Sequence, residues 1–324
     1  MTSINLKVKY RLAGRFQLLV TGPDGNVKHD TGWFDNLITD QGLDWLGTPP
    51  PNYNTTYGVP YINTHCGVGT GNTTPAYTDT RLTSFLAMFP SSTGSNVEGF
   101  SSRAYVAGPP AYWSSILVYS FATGAVVGNI AEVGTGNTAS TDTQPQLFSH
   151  ALIVDGSGNP TTITVTSADA LTVNYELRMY LDLTDNTYSI SISGVTYSGT
   201  YRRAQVTSVP NYSYTLGHNI NGTTSGCYLD YYNGTIGSVT STPSGTVAGG
   251  PNYVSTTLGT YNLGSYYSSL STVAGTTVAN LSGGISAIMT TSEHGSYQFG
   301  LSPSIPKTSS QTLTINWNVS WARY

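Results

Sequence analysis

The 324-residue chain carries 12 lysines and arginines against 16 aspartates and glutamates, a formal charge of −4, and only 9% of it is charged. That is far below the roughly 25% of an average soluble domain. It excludes a self-repelling disordered chain, a charged helical bundle and a basic surface for duplex nucleic acid. With 36 Gly, 16 Pro and 24 Tyr, the composition points to an all-β, turn-rich protein made polar by hydroxyls and amides.

Leu6, Val8, Tyr10 and Leu12 alternate with Lys7, Lys9 and Arg11, so this strand has one apolar and one basic face. The basic face reads either as a docking surface for an acidic partner or as a solvated edge that blocks edge-to-edge pairing. Segments 16–21 and 27–34 flank Gly22-Pro23-Asp24-Gly25-Asn26, a hairpin turn. A short helix is expected over 39–46, with Thr39 as N-cap, Asp40 in the first turn, and Pro49, Pro50 and Pro51 beyond its end. The apolar run 116–134 is interrupted by Ser120, Thr123, Gly124, Asn129 and Glu132, which fits paired strands and not membrane insertion.

Val68-Gly69-Thr70-Gly71-Asn72-Thr73 recurs at 133–138, and each copy precedes a Thr-Asp-Thr and an apolar segment. A second pair, 171–175 and 313–317, reads as the closing strands of two sandwich-like β domains, 1–183 and 184–324, divided by the turn around Asp182, Asp185 and Asn186. Between 204 and 291 only Asp230 is ionised, His218 aside. That stretch is rich in Tyr, Ser, Gly and Asn, the composition of antibody loops, and suits either a glycan or protein contact surface or an interface between copies of the chain. Its candidate contact residues are Tyr228, Tyr231, Tyr232, Tyr266 and Tyr267.

The sequence offers no catalytic, cofactor-binding or metal-ligating signature. His29, His65, His150, His218 and His294 stand singly and read as structural. The 69–72 loop reads as a turn and not a phosphate cradle, and Asp155-Gly156-Ser157-Gly158-Asn159 as a hairpin and not a calcium loop. Of the glutamates Glu98, Glu132, Glu176 and Glu293, the two in strand-like segments, Glu132 and Glu176, are expected to pair with Arg178 or Arg103. Cys66 and Cys227 match neither a disulfide framework nor a metal spacing. The first 12 residues lack the apolar run of a signal peptide, which fits synthesis in a reducing cytoplasm.

Three stretches resemble minor structural proteins of tailed-bacteriophage virions. They are Trp33-Phe34-Asp35-Asn36-Leu37-Ile38-Thr39-Asp40-Gln41-Gly42-Leu43-Asp44, then 125–134 followed by 147–153, then 160–165 leading into 171–178. The resemblance covers roughly 1–183, with an echo at 313–321, and departs from the pattern at His150, where a basic residue often stands. It implies a non-enzymatic virion component, as tail fibre, baseplate or collar, that binds copies of itself and other virion proteins. A host glycan-binding attachment protein and a capsid decoration or head fibre are the alternatives. On either reading the basic Lys7, Lys9 and Arg11 serve docking.

Overall fold

A computed structural model of the chain describes residues 5–48, 63–89, 100–138, 142–192, 194–209, 227–250, 253–292 and 294–324. Pro49, Pro50, Pro51, Glu98, His218 and Glu293 lie outside them. The alternating opening forms β1 (Asn5–Thr21), which the Pro-Asp-Gly turn returns as β2 (Val27–Asp30). Gly22 donates its N–H to Asn26 O at 2.9 Å, and Gly25 takes the left-handed φ of +79° that the turn requires. β3 (Phe34–Asp35) and β4 (Leu37–Ile38) lead into α1 (Asp40–Asp44), which is shorter than expected. Thr39 caps it as read, accepting the Gly42 N–H at 2.9 Å while its hydroxyl donates to Leu147 O at 2.8 Å.

Nine strands follow to the end of the first half. They are β5 (His65–Gly69), β6 (Phe85–Phe89), β7 (Phe100–Val106), β8 (Tyr112–Phe121), β9 (Gly128–Ile130), β10 (Glu132–Asn137), β11 (Gln146–Leu152), β12 (Ile163–Val165) and β13 (Ala170–Tyr180). The second half supplies β14 (Asn186–Ile192), β15 (Val195–Ala204), β16 (Tyr228–Tyr232), β17 (Val247–Gly249), β18 (Val254–Leu258), β19 (Tyr267–Ala274), β20 (Ile285–Ser292), β21 (Gly295–Ile305) and β22 (Leu313–Arg323). The fold is all-β.

The strands make a nine-stranded sheet with the path β18-β19-β22-β1-β13-β8-β7, to which β2 and β3 add through β1. A six-stranded sheet runs β14-β15-β21-β20-β16-β17, a five-stranded one β4-β11-β10-β5-β6, and β9 pairs β12. β1, 17 residues long, is interior and changes partners along its length. Asn5 to Leu12 pair in parallel with β22, later residues pair with β3 and β2, and β13 takes the other edge from Arg11 to Thr21. The basic stretch is therefore closed by β22 along one edge, while on its other edge β13 begins only at Arg11, so the reading of a protected sheet edge holds for that side of Lys7 and Lys9 alone.

The same pairing carries the sheet across the division expected at 183–186. β18, β19 and β22 belong to the sheet that β1 begins, and the strands 171–175 and 313–317 flank β1 in one sheet instead of closing two. One apolar cluster holds Phe16, Trp113 and Tyr175 together with Leu229, Ile288 and Trp317. The duplicated hexapeptides meet in β5 and β10, with Val133 opposite Val68 and Gly134 opposite Gly67. Among the described residues no helix is long and apolar enough to cross a membrane.

Candidate functional site

Alternation along β1 buries Val8, Tyr10 and Leu12 and exposes Lys9 and Arg11. Lys7 lies in the same strand opposite Asn318; its side chain is outside the described set. Register then sets the neighbours of the two cations, because directly opposed residues share a face. Lys9 is opposite Ser320, which is opposite Tyr267; Arg11 is opposite Tyr180, which is opposite Tyr112. From the six-stranded sheet, β15 brings Tyr201 and β21 brings Tyr297, whose hydroxyl donates to Lys9 O at 2.8 Å. The result is a cleft of about 420 Å³ lined by Lys9, Arg11, Tyr180, Asp182, Asn186, Tyr201, Tyr297, Ser320 and Tyr324.

Its aromatic walls are braced. Tyr180 stacks on Tyr324 with centroids 3.6 Å apart, and Tyr201 stacks on Phe299 at 5.1 Å. Behind Tyr297, the fully buried Arg203 guanidinium lies 4.4 Å from that ring, 4.9 Å from Tyr10 and 5.4 Å from Trp113, and donates to His294 O. Burial would raise the Asp182 carboxyl, but the N–H and hydroxyl of Thr184 outweigh it and hold the acid below its ordinary range.

Lys9 and Arg11 are set apart by what they lack. Arg15, Lys28, Arg81, Arg178, Arg202 and Arg323 pair with carboxylates, and Lys307 donates to Gly275 O and Asn280 Oδ1. Arg103 is also engaged. Among the described cationic side chains only Lys9 and Arg11 have no bonded or ion-paired partner.

The tyrosine set divides. Tyr231 and Tyr232 are buried, at 0% and 6% exposure, and cannot form the expected contact surface. The reason is that β16 is interior, between β17 and β20, and these successive residues fill the core on its two faces. Tyr228 and Tyr266 are half-buried, the latter donating to Asp40 Oδ1 at 3.1 Å; Tyr267 is exposed, in the row of Lys9. The lone charge of the 204–291 stretch, Asp230, is half-buried beside a separate cavity of about 540 Å³, and burial pushes its carboxyl up to about 6. The alternation located the two cations. The pairing that brings Tyr180, Tyr201, Tyr297 and Tyr324 to them left no signal in the sequence, because these tyrosines come from β13, β15, β21 and the residue after β22, far apart along the chain.

The other ionisable clusters are internal. Glu132, fully buried, accepts the N–H groups of Gly71, Thr83 and Ser84 at 3.1, 3.0 and 2.7 Å and bonds His150 Nε2 at 3.0 Å. His150 Nδ1 lies 2.8 Å from Asp79 Oδ2. Its partner is thus a histidine and not the expected arginine, and of the 69–72 turn the Gly71 amide serves this carboxylate, beside those of Thr83 and Ser84. Burial would raise Glu132, but His150 and those amides outweigh it and hold the carboxyl at about 2. Burial likewise opposes charge on His150, and the two acids overcome it and raise the imidazole. Glu176 does bind Arg178, at 3.1 Å, together with Arg15 and the Ser114 hydroxyl. Asp155 accepts the N–H groups of Ser157 and Asn159 within its own hairpin, as a turn residue does.

No protein-family model, curated protein or solved structure matches the chain.

Proposed function

We propose that the chain is a non-enzymatic structural component of a tailed-bacteriophage particle, in a tail fibre, baseplate, collar or similar appendage. In this reading it assembles with copies of itself and is attached through the cleft over Lys9 and Arg11. The observation that carries the reading is the division of its few charges. Carboxylates such as Glu132 and Glu176 are committed to clamping strands and loops, while the two uncommitted cations stand together in an open cleft. Such a molecule supplies stiffness and a place of attachment, and complementary charge steers and orients docking. The resemblance of 33–44, 125–153 and 160–178 to virion structural proteins supports placing that role in a particle.

The test is incorporation. Changing Lys7, Lys9 and Arg11 together to Ser should lower the amount of the protein found in purified particles by about tenfold, since each lost charge-assisted contact is among the stronger hydrogen bonds. Unchanged occupancy overturns attachment through this strand. Absence of the wild-type protein from particles imaged by electron microscopy overturns the virion role itself.

A further inference from the structure

The cleft over Lys9 and Arg11 has the size of a small-molecule site, about 420 Å³, and is no broad flat patch of the kind protein surfaces share. Three chemistries converge in it. Two uncommitted cations two residues apart on β1 call for an anion. The rings of Tyr180 and Tyr201, each held by stacking on a neighbour, offer rigid faces for the C–H groups of a pyranose at little entropic cost. Asp182, kept ionised by Thr184, accepts hydrogen bonds, and it sits where a run of acidic residues would be repelled. An acidic peptide satisfies the first feature and conflicts with the last. A sugar bearing one carboxylate and several hydroxyls satisfies all three.

We propose that this cleft binds a carboxylated saccharide, its carboxylate on Lys9 and Arg11, its ring against tyrosine, and its hydroxyls donating to Asp182. The inference rests on the reading of the cleft as the place of attachment, and takes the surface on which the chain docks to carry that sugar.

Calorimetric titration of the full chain with galacturonate, its uncharged methyl ester and a glutamate-rich peptide tests it. Galacturonate should bind, the ester about tenfold more weakly, and Lys9→Ser with Arg11→Ser should weaken galacturonate by about the same factor. Tyr201→Ala should weaken acid and ester alike. Equal affinity for acid and ester, or an unchanged affinity in the double variant, overturns the proposal. So does binding of the peptide without the saccharide, which leaves attachment through the cleft standing. No binding of any probe overturns the proposal too, whereas particle occupancy of the charge variants judges the structural role separately.

Discussion

Glu132 shows how this charge-poor chain uses an acid. Its carboxylate replaces the solvent of a whole loop, taking three main-chain N–H groups and one imidazole in a dry interior, where unmade bonds are costly. Glu132→Ala should therefore lower unfolding free energy by about 3–5 kcal/mol, the range for breaking a buried ionic pair, measured by urea denaturation. The pH dependence follows from the signs of the two shifts. Glu132, depressed to about 2, stabilises fully above the ordinary carboxylate value of about 4.3, and the contribution fades as pH falls toward 2. His150, raised, stabilises fully below about 6.5, and its contribution is lost as pH rises through the elevated value. Stability should peak between those limits, and His150→Gln should flatten the alkaline arm; an unaltered arm in the variant refutes the assignment. The sequence placed Glu132 in a strand but gave the wrong partner. His150 is opposite Gly134, two residues along the neighbouring strand, and only the β10–β11 register reveals it.

At the scale of elements, local chemistry was readable and pairing was not. The Pro-Asp-Gly hairpin and the Thr39 cap depend on residues within a few positions of each other, so composition and spacing carry them. The duplicated glycine motif was visible as a repeat, but its packing was not. β10 is buried along its whole length, and a Cβ on Gly136 would overlap Gln146 O of β11, which is main chain and cannot swing aside. Gly136→Ala should cost about 1–3 kcal/mol, as overpacking does. Gly156→Ala, in an open turn with nothing near its Cβ position, should stay within about 0.5 kcal/mol. Thermal melts of the two variants decide whether the repeat is selected for close strand approach; equal melting temperatures reject it.

For the whole molecule, the all-β class was legible from Tyr, Thr, Gly and alternation, whereas the two-part division was not sustained by the pairing. Nothing local in 313–323 says that its partner lies three hundred residues earlier, and a turn at 183–186 looks the same inside a continuous core as between two. Full-length protein should unfold in a single transition by both tryptophan fluorescence and far-UV circular dichroism. A fragment of residues 1–183, lacking the cover that β22 and Trp317 give β1, should show no cooperative transition. A fragment that melts sharply would mean that the first half is self-sufficient.

The parallel seam of β1 with β22 also sets a timetable for biosynthesis. Residues 5–12 leave the ribosome ahead of 313–323 and find one flank only after that later segment has been translated, so the Asn5–Leu12 edge stays open while all the chain between them is made. During that interval Lys7, Lys9 and Arg11 stand along the waiting ribbon, where like charges keep nascent chains from zipping onto one another. In the finished fold that flank is closed, and Lys9 and Arg11 are left over for the cleft.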